Sequence, residues 1–151
     1  MNTPTALETL VMLSAQEAEA AAISLGKAIA MREDAKQRLQ MLQHLRADYA
    51  RRLETHVQDG LTFAAYRNFQ CFLAKIDEAI AGQTAIEAGA AAQAEQSRQF
   101  WQSKKREGQT WELLVDRAAR EAQRKEAKLE RKASDEFAAR AALKRTDAET
   151  H

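Results

Sequence analysis

Three histidines, one cysteine, five glycines and one short basic run are the residues of this chain with reactive or binding chemistry in reach. His44, His56 and His151 stand far apart, and no Cys, Asp or Glu joins them at the spacing a metal site needs. Cys71 sits between Gln70 and Phe72 with no histidine near it in sequence, so it reads as an inert thiol and not a nucleophile. Being single, it makes no internal disulfide and fits a reducing compartment. Gly26, Gly60, Gly82, Gly89 and Gly108 are too scattered to form a phosphate-cradling loop. Lys104-Lys105-Arg106 has the chemistry to meet phosphate or an acidic partner, but on a helix such a run is ordinarily a solvated face. The expectation is a protein with no catalytic residues, no cofactor and no metal.

What positions these residues is a helical scaffold. Of 151 residues, 45% are hydrophobic, 30% charged and only 6% aromatic, and the single proline is at position 4. That balance marks long helices or coiled coils and argues against sheets. The net charge of +1 and a pI of about 7.9 do not suit a nucleic-acid binder. No window approaches the roughly 20 apolar residues that span a bilayer, so direct membrane insertion is not expected. The start, Met1-Asn2-Thr3-Pro4-Thr5, has neither the basic segment nor the apolar run of a secretory signal, which points to a cytoplasmic protein.

A heptad rhythm organises most of the chain. One frame collects Val11, Ala18, Leu25, Leu39 and Leu53, with Ser14, Ala21, Ala28, Ala35, Leu42 and Tyr49 at its partner positions. After Gln58-Asp59-Gly60, Phe69, Leu73, Ile76, Ile80, Ala90, Ala94, Trp101, Trp111, Val115, Ala118, Ala122 and Leu129 continue the pattern. Apolar residues alternately three and four apart make a narrow stripe that a second helix must cover. The predicted fold is all-α: residues 1–151 form a single two-helix antiparallel coiled-coil hairpin, with a helix over about 5–57, a turn at 58–61 and a longer helix over about 62–145. Thr3 or Thr5 caps the first helix, with Thr5 and Glu8 at capping-box spacing; Gly60 supplies the left-handed residue of the turn, and Thr62 caps the second helix.

Folding at the turn places Leu53 near Tyr66, Tyr49 near Phe69 and Gln70, and Leu42 near Ile76, a bulky and well-filled half. Farther on, Ala20-Ala21-Ala22 and Gly26 face Gly89-Ala90-Ala91-Ala92, small against small, so the axes approach closely and the waist is weakly held. The first helix is exhausted opposite Trp111, which leaves the second unpaired from about Asp116. In that tail Phe137, Ala138, Ala141 and Ala142 rebuild a small apolar face. Such a scaffold offers no deep pocket in which a titratable group could be tuned for acid–base work. More informative are Leu45, Phe63, Phe72 and Phe100, which lie beside the seam and stay wet unless a partner covers them.

These segments bear a family likeness. Ala6-Leu7-Glu8-Thr9-Leu10, Leu39-Gln40-Met41-Leu42 to Tyr49, Tyr66-Arg67-Asn68-Phe69-Gln70-Cys71-Phe72, Trp101-Gln102-Ser103-Lys104-Lys105-Arg106 to Trp111, Asp116-Arg117 and Asp135-Glu136-Phe137-Ala138-Ala139-Arg140-Ala141-Ala142 resemble the FliJ family of the bacterial flagellar type III export apparatus. Their order and spacing carry the likeness; the alanine-rich stretch 85–94 adds nothing to it. The resemblance implies a non-enzymatic stalk similar to the coiled coil of the rotary ATP synthase γ subunit. It implies three kinds of partner: the hexameric export ATPase, FliI, whose ring the stalk would enter and whose assembly and activity it would promote; the membrane export gate protein, FlhA; and export chaperones. By position, the gate-binding residues would be Leu42, Leu45, Tyr49, Phe72, Ile76 and Ala79, with Leu45 standing where relatives often have an aromatic. The ATPase-binding residues would be Leu7, Leu10, Phe137, Ala138, Arg140 and Ala141. The chain would be a cytoplasmic monomer, peripherally associated with the inner membrane at the flagellar base. A generic coiled-coil adaptor or chaperone without an ATPase partner is the alternative, and a homodimer pairing through its tails is a third reading.

Overall fold

A computed structural model describes residues 5–150; Thr3, Pro4 and His151 lie outside the described residues. Two helices account for nearly all of it, α1 (Ala6–Gln58) and α2 (Phe63–Glu149), packed against each other as a hairpin. Thr5 starts α1 with a reciprocal cap: its backbone N–H donates to Glu8 Oε2 at 3.2 Å, and the Glu8 N–H donates to Thr5 Oγ1 at 3.3 Å. At the other end Gly60 adopts a φ of 90°, which side-chain-bearing residues avoid, and its N–H donates to the Val57 carbonyl at 3.3 Å. Thr62 Oγ1 then accepts the Ala65 N–H at 3.3 Å, so α2 begins with a free donor satisfied.

The chain forms two compact units: one is Gln16–Lys105, and in the other the segments up to Ala15 and from Arg106 come together. Within 16–105 the heptad stripes meet along a seam. Ala21, Ala28 and Ala35 are buried at seven-residue intervals on α1, and Ile76 and Ala94 are buried on α2. Leu25, Leu39, Leu42, Tyr49 and Leu53 from α1, with Phe69, Leu73, Ile80, Ala90 and Trp101 from α2, are half-buried along the same line. No large side chain among the described residues is fully enclosed, as a two-stranded seam requires, since each residue there is flanked by solvent on both sides.

The apolar pattern did not reveal that the α2 stripe keeps its register through polar residues. Gln83, Glu87 and Ser97 occupy seam positions and are half-buried. Gln83 Nε2 donates across the seam to the Ala35 carbonyl oxygen at 3.1 Å. In the other unit, Leu7, Val11 and the buried Ser14 share the seam with Gly108, Trp111 and Val115. Beyond Val115 every described residue except Ala141 is exposed. Ala118, Ala122 and Leu129, expected to continue the stripe, continue its spacing only: they lie within α2 but are exposed, and Leu129 is 67% exposed.

Candidate partner-docking surfaces

The turn-proximal surface is built on the aromatic cluster of the 16–105 unit. Tyr49, at a seam position, stacks on Phe72 with ring centroids 4.5 Å apart and planes 20° apart. Phe69 tilts against the other side of this cluster, 5.8 Å from Tyr49 and 5.5 Å from the His56 ring. The Arg52 guanidinium lies 5.9 Å from the Tyr49 ring centre, a cation over an electron-rich face. This packing fixes Phe72 while leaving 44% of it in water. Leu45, one helical turn before Tyr49, is 42% exposed, and Ala79 is exposed. Leu42 is half-buried in the seam. Ile76 is only 5% exposed, so it supports the surface from beneath and presents almost nothing to a partner.

On the other flank of the seam an ion pair clamps the helices. Arg46 Nε donates to Asp77 Oδ1 at 2.5 Å, and Nη2 reaches Oδ2 at 3.4 Å. The hydrogen bond from Arg46 holds the Asp77 carboxyl below its ordinary range, and the same bond raises the guanidinium's affinity for its proton. Further along, Lys104 Nζ meets Glu17 Oε2 at 3.2 Å across the helices and lies 5.5 Å from the Phe100 ring centre. Lys104 is thus occupied within the fold, while Lys105 lies 5.1 Å from the Trp101 ring centre. The basic run sequence reading singled out is spent in part on neighbours.

In the other unit Leu7 is half-buried in the seam and Leu10 is 37% exposed. On the tail, Phe137 is 77% exposed, Ala138 and Arg140 are exposed and Ala141 is half-buried. Phe137, Arg140, Ala141, Leu143 and Lys144 together line a shallow hollow. Leu143, 65% exposed, belongs to this patch although sequence reading passed over it; its signal was the heptad step from Leu129 through Glu136. Sequence reading also missed Met31 and Ile86, 69% and 59% exposed; Met31 stands two heptads before Leu45 and Ile86 one heptad after Ala79, which marks the same flank.

Among the described residues no three or more His, Cys, Asp or Glu side chains group to hold a metal, and no helix is long and apolar enough to cross a membrane. Cys71 is exposed. What is left is apolar surface, rigid near the turn and isolated on the tail. Comparison with known proteins assigns that scaffold. The family model described as Flagellar FliJ protein matches residues 3–147. The Flagellar FliJ protein of Salmonella typhi is 30% identical over 142 residues, covering 94% of this chain and 97% of that protein. The Flagellar FliJ protein of Escherichia coli K12 shows the same identity and coverage. With the family model matched along nearly its whole length, this chain belongs to the FliJ family, components of the flagellar export apparatus.

Proposed function

We propose that this chain acts as a non-enzymatic stalk and carrier in flagellar protein export, with two docking surfaces for two partners. The observation that carries the reading is the presence of two uncovered apolar surfaces in different units: the rigid Leu45–Tyr49–Phe72–Ala79 surface and the Phe137–Ala141–Leu143 tail. The first suits the export gate protein, FlhA. The second, with Leu7, Leu10, Ala138 and Arg140, suits the ring of the export ATPase, FliI. In this reading the tail occupies the ring's central hole and promotes assembly and turnover, while the same protein escorts export chaperones to the gate at the inner membrane. The side chains Arg131, Lys132, Arg140, Lys144 and Arg145 would steer the tail towards an acidic pore lining.

The test is a chain ended after Ala133, assayed with the export ATPase and separately with the gate protein. The described residues removed are exposed except for half-buried Ala141, so the remaining hairpin should keep its helicity. Stimulation of ATP hydrolysis should fall while gate binding survives. Undiminished stimulation by the shortened chain would reduce the tail to a solvated helix end and favour a plain coiled-coil adaptor.

A further inference from the structure

On one flank of the 16–105 unit the α2 edge is uncharged along its length, and its spacing has a centre. Beside the α2 seam, Phe72, Ala79, Ile86, Gln93 and Phe100 recur every seven residues without a charge. Beside the α1 seam, Glu17, Ser24, Met31, Arg38, Leu45 and Arg52 follow at the same interval on this flank, as the hollows shared by Glu17, Ser24, Gln93 and Phe100 show. The α1 edge thus mixes charged and apolar residues, while the α2 edge carries no charge. The α2 positions beside the seam on the opposite side are Gln70, Asp77, Thr84, Ala91, Arg98 and Lys105, half of them charged. Phe72 and Phe100 each lie two heptads from Ile86, one on either side, and are 44% and 56% exposed.

Two glycines sit at that centre. Gly82 and Gly89 are four residues before and three after Ile86, and so share its face of α2. A Cβ built on either meets nothing within 4 Å, so the hairpin itself has no need of glycine there. Glycine inside a helix is unfavourable by roughly 1 kcal/mol relative to alanine. What it provides is the close approach of another backbone.

We propose that this flank is a two-fold interface with a second copy of this chain, running antiparallel, with the axis at Ile86 and Met31. A two-fold contact demands that if one residue meets a second, the second meets the first. The spacing satisfies this: Ile86 faces its own copy, Ala79 faces Gln93, and Phe72 faces Phe100. From Phe72 to Phe100 is about 42 Å of helix. Across the width of a helix pair that covers about 800 Å² on each copy, the size of a standard stable contact. The dimer covers Leu45 and Phe72 and thereby masks the surface proposed for the export gate. Gate binding and dimerisation then compete, and the dimer is a held-back form of the protein. The masking rests on the gate reading; the dimer does not, and it is measured on the isolated chain.

The experiment uses the full chain alone. Sedimentation equilibrium should show a reversible monomer–dimer exchange. Ile86→Asp, which sets two like charges together on the axis, should raise the dimer dissociation constant at least about a hundredfold. Ile29→Asp, on the opposite flank at a residue 53% exposed, should leave the constant unchanged and controls for folding together with circular dichroism. In a Cys71→Ser background, Ile86→Cys should crosslink to itself on oxidation. Phe72→Cys chains should crosslink to Phe100→Cys chains and not to one another. A strictly monomeric chain, including one that binds the isolated gate protein through Ile86, would assign the flank to another partner and overturn the proposal. So would Phe72→Cys chains that crosslink among themselves.

Discussion

Ser14 and Gly108 face each other across the seam with no room between them: a methyl group on Gly108 would lie 3.3 Å from Ser14 Oγ. That oxygen is buried, with Ser14 only 5% exposed, and it has no hydrogen-bond partner among the described residues. Elsewhere in the chain threonine hydroxyls solve the same problem by donating back along the helix, as Thr55 does to the Arg51 carbonyl at 3.0 Å and Thr110 to the Arg106 carbonyl at 3.0 Å. An unbonded hydroxyl in a seam is a cost that alanine lacks, and alanine is also the better helix former.

Ser14→Ala should therefore raise stability by about 1 kcal/mol. Gly108→Ala alone should give less than its helix propensity promises, because the new methyl presses on Oγ. The double variant should exceed the sum of the two, since Ser14→Ala removes the Oγ that the Gly108→Ala methyl presses on. Chemical denaturation of the four chains reads this coupling directly. A Ser14→Ala chain less stable than the parent would show that the hydroxyl is bonded in solution.

Gln83 is the second polar guest in the seam, and here the polar group is used. Its amide reaches the Ala35 carbonyl at 3.1 Å from a half-buried position. Gln83→Ala should cost about 1 kcal/mol in lost hydrogen bonding and packing. Gln83→Leu should recover that stability by extending the run of Ile76 one heptad further, but without the directional bond that ties α2 to one register on α1. Cysteine pairs placed across the seam should then crosslink in more than one register for Gln83→Leu and in one for the parent. A single register in both would assign register to the aromatic cluster at Tyr49 and Phe72.

The contrast between Ser14 and Gln83 shows where sequence reading stopped. The hairpin was legible because alanine, leucine and aromatic residues repeat at three and four, and because Thr5, Gly60 and Thr62 mark helix ends by mechanism rather than frequency. The α2 seam was legible only where it is apolar. Gln83, Glu87, Ser97 and Gly108 keep the heptad phase but carry no hydrophobic signal, so only the packing reveals them. Leu45 and Phe72 were legible as surface residues since they fall one step off the stripe, and both are exposed. Ile76 falls on the stripe, and its burial follows from the same rule. Leu143 and Ile86 needed the heptad to be counted outside the core, where solvent, not a partner helix, is the neighbour.

The clamp between Arg46 and Asp77 gives stability a pH dependence of known sign. The hydrogen bond from Arg46 depresses the Asp77 carboxyl in the folded chain. A depressed carboxyl favours the folded state above its ordinary unfolded value and loses that contribution as pH falls through the lower folded value. Both side chains are about half exposed, 45% and 50%, so salt should weaken the effect as well. Asp77→Asn should lower the melting temperature at neutral pH and low salt. The two chains should converge as the medium is acidified below the usual carboxylate range. A gap that persists in strong acid would mean that the substituted amide disturbs packing and that charge is not the cause.

Phe72 and Ile76 lie one helical turn apart on α2 and should fail in opposite ways. Ile76 is 5% exposed, and cutting it to alanine leaves a void that the thin seam cannot fill; a loss of about 2–4 kcal/mol is expected. Phe72 is 44% exposed and meets the seam mainly through the Tyr49 ring, so Phe72→Ala should cost about 1 kcal/mol, the worth of one aromatic stack with partial burial. Helicity at room temperature should survive in the second variant. For the proposed gate surface the order reverses, because a partner touches what is exposed and rigid. Phe72→Ala should weaken gate binding by about tenfold or more, the loss typical of a central aromatic anchor. Ile76→Ala should weaken it only in proportion to the hairpin's loss of structure, and binding should return in part when the seam is stabilised by Ser14→Ala. Full gate affinity in a well-folded Phe72→Ala chain would remove the aromatic surface from the gate contact and leave Phe72 as a prop for Tyr49.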